Sequence, residues 1–201
     1  MSPKPNVSAE RKPQILAAAM RTFTRKGLVA TRMEDIAREA RLSVGGVYWY
    51  FSGKDEVILE LLEEMTETDI GLLRELLEAE GSVVERLLHY LQTDLASMLK
   101  IYPLLYELYA FALHDARILK HVSAYRVTYR QTLVEFFQQG IERGELRPHD
   151  AQVAASTLTA LAQGVLETAV LNPAHVDFVK TIRETAGLFL SGLAAVKSIE
   201  I

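Results

Sequence analysis

The chain has 201 residues, with 22 Lys and Arg against 26 Asp and Glu, a net charge of −4 and no cysteine. That length supports a sizeable core in one large domain or two small ones, and 49% hydrophobic with 24% charged residues excludes global disorder. Without cysteine there is no disulfide framework, thiolate metal site or cysteine nucleophile.

The opening Met1-Ser2-Pro3-Lys4-Pro5-Asn6 has no apolar stretch of the kind that starts a secretion signal. No run approaches ~18 apolar residues, so the expectation is a cytoplasmic chain that makes no membrane contact. Charge is unevenly spread. Through Asp55 there are ten basic residues (Lys4, Arg11, Lys12, Arg21, Arg25, Lys26, Arg32, Arg38, Arg41, Lys54) and five acidic ones, a net +5 that leaves −9 for the remainder. Such asymmetry fits a nucleic-acid-facing head on an acidic body, or a chance excess on a solvated face.

The pattern is helical nearly throughout, with Gly and Pro falling mostly between periodic segments. Ile15, Ala19 and Phe23 make one apolar face of a first helix that starts at about Lys12, with Pro13 in its first turn and Gly27 as its C-terminal cap. Thr31 and Glu34 have the spacing of a capping box opening a short helix, with Met33, Ile36, Ala37 and Ala40 inward. Ser43 caps a second short helix through Phe51. A long helix follows from Ser52 toward Ala79, then five more over roughly 83–100, 103–115, 117–143, 150–172 and 176–196. The fold class is all-α, with about nine helices: a three-helix head over residues 1–54 and a helical body over 55–201.

Two short amphipathic helices joined by a tight turn make a helix-turn-helix. Gly45 and Gly46 stand in the first turn of its second helix, where each costs about 1 kcal/mol relative to Ala. Either they relieve a helix crossing, or they leave room for a DNA backbone or base edge.

The spacing Thr31-x4-Ile36-Ala37-x2-Ala40-x2-Ser43-x-Gly45-x2-Tyr48-x-Tyr50-Phe51-x2-Lys54 resembles the TetR family of bacterial transcriptional regulators. The resemblance is sharp over about residues 12–58 and departs at Arg41, where the family usually has Gly. It implies that the second short helix enters the major groove of a double-stranded DNA operator. The implied DNA-binding set is Thr31, Arg32, Arg41, Ser43, Val44, Gly45, Gly46, Tyr48, Trp49, Tyr50 and Lys54. Within it, Val44, Gly46 and Trp49 lie nearest the bases, while Thr31, Ser43, Tyr48 and Lys54 resemble the family's phosphate contacts. A turn slightly different from the family's is expected at Arg41.

Nine of the sixteen aromatics fall within residues 90–137. Their faces enclose either an apolar pocket with a few hydroxyls or an aromatic core. The resemblance implies a pocket for a largely apolar small-molecule effector, lined by Tyr90, Tyr102, Tyr106, Tyr109, Tyr125, Arg126, Tyr129 and Phe136. Arg126 belongs to a basic stripe that is either solvated or able to meet an anionic head group. The last two helices mix small and apolar residues beyond what one exposed face tolerates. Either they are buried within the chain, or they form a homodimer interface through Leu158, Leu161, Gly164, Val165, Gly187, Leu190 and Ser191; the homodimer is expected, matching a palindromic operator.

No cofactor, metal site or catalytic motif is expected: the chain has no P-loop, no G-x-G-x-x-G and no His-Glu-x-x-His, and its five histidines are scattered. The reading is a ligand-released repressor. A ligand-independent DNA-binding protein of the same fold, or a helical-bundle enzyme, are the alternatives.

Overall fold

The computed structural model describes residues 7–97, 99 and 101–195. The opening residues 1–6, Lys4 among them, and the expected end of the last helix at residue 196 lie outside these. Among the described residues there are nine helices: α1 (Val7–Lys26), α2 (Met33–Ala40), α3 (Val44–Tyr48), α4 (Lys54–Glu78), α5 (Val83–Ser97), α6 (Tyr102–Ala112), α7 (Ala116–Glu142), α8 (Ala151–Leu171) and α9 (Phe178–Ser191). Two compact units form. The first takes the described residues through Thr66 together with Pro103–Val122; the second takes Glu67–Tyr102 with the rest from Ser123 onward.

In the first unit, Ile15, Ala19 and Phe23 of α1 pack with Ile36 and Ala37 of α2, Val47 of α3, Phe51, Val57 and Leu61 of α4, and Leu108 of α6. Burying each large side chain stabilises the unit by about 1.5–3 kcal/mol. Helix α1 begins five residues before the expected start, so Pro13 lies inside it rather than in its first turn. Gly27 ends the helix at φ +80°, its N–H donating 2.7 Å to the Phe23 carbonyl.

The expected capping box is displaced by one residue. Arg32 is the N-cap of α2, and its N–H donates 3.2 Å to Asp35 Oδ2. The Thr31 hydroxyl is engaged in the turn before the helix, donating 2.7 Å to the Gly27 carbonyl. At the α2–α3 turn, Arg41 has φ +56° and ψ +40°, the left-handed conformation. The expected departure in turn geometry is therefore absent: the chain keeps a turn suited to Gly and accepts roughly 1 kcal/mol or more of strain at Arg41.

In the second unit, α8 and α9 pack against each other and α5 packs on α9. Asp150 caps α8 and Asp177 caps α9 through their carboxylates. Buried Arg86 closes the end of α4, donating 2.5 and 2.7 Å to the Leu76 and Leu77 carbonyls, and also bonds Gln139 Oε1. Its guanidinium lies over the Phe136 ring, 5.7 Å from the centroid. By length and composition alone α8 is long and apolar enough to cross a membrane, a test that a buried core helix also passes. One stripe of it (Leu158, Ala162, Leu166, Ala169) is buried within the unit, as in a core helix of a soluble fold.

Candidate functional site

Helix α3 is short because Gly45 and Gly46 disfavour helix and the chain turns at Trp49. It is held at both ends. Ser43 Oγ accepts from the Gly46 N–H at 3.0 Å, and buried Val47 and Phe51 anchor it to the core. A Cβ at Gly45 would meet nothing within 4 Å, so this glycine faces open space rather than relieving a helix crossing. Trp49 is 83% exposed and Tyr48 about half exposed, a large apolar surface on a helix whose opposite side is core. Val44 and Tyr50 are partly buried against that core.

The basic residues fall into two groups. Glu39 pairs with Arg21 and Arg25, Asp35 with Lys26 and Arg38, and Glu60 with Lys12. Hydrogen bonds from Lys26 and from the Arg32 N–H hold the Asp35 carboxyl below its usual range; those from Arg21 and Arg25 do the same for Glu39. Arg32 and Arg41 are exposed and make no ion pair among the described residues. They flank α2, Arg32 at its N-cap and Arg41 at the turn into α3, so their charge is available to a polyanion.

Two expected phosphate contacts sit differently. Thr31 is 1% exposed with its hydroxyl turned inward to Gly27, so it is corrected to a structural residue. Lys54 Nζ donates 2.7 Å to the Leu28 carbonyl and 3.1 Å to that of Thr31, which directs it into the fold. Ser43 is exposed, and its hydroxyl proton remains available while the oxygen caps α3.

The expected effector set divides. Tyr90 and Tyr125 converge on a residue the sequence reading missed, Asp69 of α4: the Tyr90 hydroxyl donates 2.9 Å to Oδ1 and that of Tyr125 donates 2.6 Å to Oδ2. Tyr129 joins through its hydroxyl, 3.4 Å from that of Tyr90, and its ring lies 5.8 Å from the Tyr125 ring at 50°. Burial, then the neighbouring Tyr129 and Asp69, push the Tyr90 hydroxyl well above its ordinary pKa, so it stays protonated and donates. Asp69 could have been found from its register: with Leu62, Thr66 and Leu73 it follows the i, i+4, i+7, i+11 stripe of α4, an acid on an apolar face.

Tyr102 is buried in the same unit, its hydroxyl 3.5 Å from the Gln163 carbonyl. Phe136 is fully buried beneath Arg86, a core position rather than a lining one. Arg126 is exposed and donates 3.4 Å to Gln163 Oε1, outside the Asp69 cluster. Tyr106 and Tyr109 fall in the first unit; Tyr106 is exposed and Tyr109 leans on the core of the head. These two are corrected out of the cluster, because α6 packs with the head over most of its length.

Of the expected interface residues, Leu158 and Leu190 are 1% and 2% exposed and belong to the chain's own core, a further correction. Leu161, Val165 and Gly187 are half-buried, whereas Gly164 and Ser191 are exposed; a Cβ at Gly164 or Gly187 would meet nothing within 4 Å. Around them stand exposed apolar residues that the sequence reading passed over: Val153 and Leu171 on α8, Val179 and Leu188 on α9.

Residues 15–61 match the family described as bacterial regulatory proteins, tetR family, and residues 82–194 match the BetI-type transcriptional repressor C-terminal family. The chain is 28% identical over 200 residues to the uncharacterized HTH-type transcriptional regulator YfiR of Bacillus subtilis, covering 94% of this chain and 96% of that one. It is 27% identical over 184 residues to the HTH-type transcriptional regulator TtgR of Pseudomonas putida, covering 87% of each. In fold it is similar to a transcriptional regulator from Saccharomonospora viridis in complex with choline, with a TM-score of 0.85 at 19% identity over 94% of this chain and 100% of that one. It is also similar to FadR of Bacillus subtilis in complex with stearoyl-CoA, with a TM-score of 0.74 at 20% identity over 90% and 98%. A capped helix-turn-helix that displays aromatic residues, followed by a helical body matched over most of its length, leads to one assignment: the chain is not an enzyme but belongs to the TetR family of bacterial transcriptional regulators, with a C-terminal body of the BetI type.

Proposed function

We propose that the protein is a cytoplasmic homodimeric repressor that binds a palindromic operator through α3 and leaves it when a small molecule occupies the second unit. The observation that carries the reading is α3 itself. A helix anchored by Val47 and Phe51 presents Tyr48, Trp49 and open Gly45 outward, with Arg41 in the turn before it and Arg32 at the other end of α2, neither in an ion pair among the described residues. No Arg, Asn or Gln lies on α3 for a bidentate base contact, so specificity rests on Trp49, on Val44 and on DNA shape. Tyr48, Ser43, Arg32 and Arg41 hold phosphates.

The effector site centres on Tyr90, Tyr125 and Tyr129 around Asp69. A carboxylate among aromatic faces favours a largely apolar ligand with a cationic or hydrogen-bond-donating head, in place of the anionic head group considered for Arg126. The fold neighbour in complex with choline supports that class. Helix α4 contributes to both units, so it can carry a population shift from effector to α3. Exposed Val153, Leu171, Val179 and Leu188, with open Gly164 and Gly187, support a two-fold face on α8 and α9. Binding to the duplex upstream of its own gene, across a salt series and with matched scrambled DNA, tests the reading; equal binding to both duplexes would refute it.

A further inference from the structure

The loop that joins α1 to α2 is gripped by two charged side chains at a single buried residue. Leu28 is inside the core of the head, yet both of its backbone polar groups are taken by side chains. Its N–H donates 2.6 Å to Glu107 Oε2 of α6. Its carbonyl accepts 2.7 Å from Lys54 Nζ of α4, which also reaches the Thr31 carbonyl. Gly27 completes the grip: at φ +80° it lets the chain pass so close that an added Cβ would lie 2.7 Å from Glu107 Oε1. Four residues on, the loop becomes the N-cap of α2, so its position sets that of the helix-turn-helix on α1 and α4.

Glu107 is out of place if judged by charge alone. A carboxylate in a unit that meets DNA opposes the polyanion, so a purely electrostatic account would remove it. Its value lies in geometry, because an oxygen acceptor aimed at a buried backbone N–H satisfies a donor that would otherwise be left unpaired.

We propose that Glu107 is a positioning residue for operator binding, acting through the Leu28 N–H to hold the α1–α2 loop, and with it α3, in the DNA-reading arrangement. This rests on the DNA-binding reading of α3. Glu107 touches no phosphate in this account, so it alters affinity and leaves the salt slope unchanged. A residue that holds only fold stability would move the melting temperature and leave affinity well below the melt untouched.

The test measures binding of full-length protein to a fluorescein-labelled duplex from upstream of its own gene and to a scrambled duplex of equal length, with amide hydrogen exchange at Leu28. E107A is expected to lower affinity for the upstream duplex about 10-fold and to lose protection at Leu28. E107Q keeps an acceptor without the charge, so it should stay within about 2-fold of the original chain and keep the protection. G27A crowds Glu107 and also strains the φ +80° backbone, so only its contact part overlaps with E107A, and the double variant should lose less than the sum of the two. If E107A folds poorly, E107Q with Leu28 exchange still decides the matter: retained protection with retained affinity supports the proposal, and a loss of affinity with protection kept overturns it. The proposal is overturned if E107A binds as well as or better than the original chain, or if E107Q loses as much as E107A. An original chain that does not prefer the upstream duplex would overturn the DNA-binding reading itself.

Discussion

The ammonium of Lys54 donates 2.7 Å to the carbonyl of Leu28, tying the first turn of α4 to the loop before the helix-turn-helix. Its second bond, to Thr31, closes the same loop. Lys54→Met is therefore expected to destabilise the protein by about 1–2 kcal/mol and to weaken DNA binding with little change in salt slope. A phosphate contact would instead reduce that slope by about 1. Affinity measured at several salt concentrations separates the two.

Arg41 leads to changes of opposite sign. Glycine accepts φ +56° without the Cβ clash, so Arg41→Gly is expected to raise stability by about 1 kcal/mol. The same change removes an unpaired cation beside α3, so affinity and salt slope should both fall. Thermal melts with salt-dependent binding check both signs. A destabilised variant would contradict the strain argument, and an unchanged slope would contradict the phosphate contact.

How far the sequence was legible follows from these residues. Helix order and most boundaries were readable because apolar periodicity and caps such as Ser43 and Gly27 are local signals. The Arg32–Asp35 cap was misread by one residue, because Thr31 looks like a cap until the close Gly27 carbonyl takes its hydroxyl. Asp69 was hidden because α4 is rich in exposed acids and only its register separates it from them. Leu158 and Leu190 could not be told from interface residues, since α8 and α9 are apolar on more than one face and periodicity does not say which face meets the chain's own core.

Acid should loosen the head. Bonds from Lys26 to Asp35 and from Arg21 and Arg25 to Glu39 hold both carboxyls below the usual carboxylate range. A lowered carboxyl contributes stability above its unfolded pKa and loses it as pH falls through the folded value. The pairs with Lys26, Arg21 and Arg25 therefore hold at neutral pH and fail below about pH 4. Melting curves of the original chain should drop across that range, and those of the D35N/E39Q variant should fall less.

The Asp69 cluster distinguishes ligands by charge. Decyltrimethylammonium is expected to raise the melting temperature and release the upstream duplex, while decanoate does neither. Asp69→Asn should remove most of that difference, leaving DNA binding without ligand within about 2-fold of the original chain. Equal responses to the two amphiphiles would contradict a cation-favouring site.

On α9, Leu188 is 77% exposed while Leu190 is buried. Leu188→Glu should convert a dimer to a monomer in sedimentation with little loss of stability. Leu190→Ala should instead destabilise the subunit by about 2–5 kcal/mol.

The central claim is that α3 reads DNA through Trp49. Its most direct test is the binding of Trp49→Ala to the upstream and scrambled duplexes across a salt series. Affinity for the upstream duplex is predicted to fall about 10-fold or more toward that for the scrambled one, while binding to scrambled DNA and the salt slope stay unchanged. A variant that kept the full preference for the upstream duplex would contradict it.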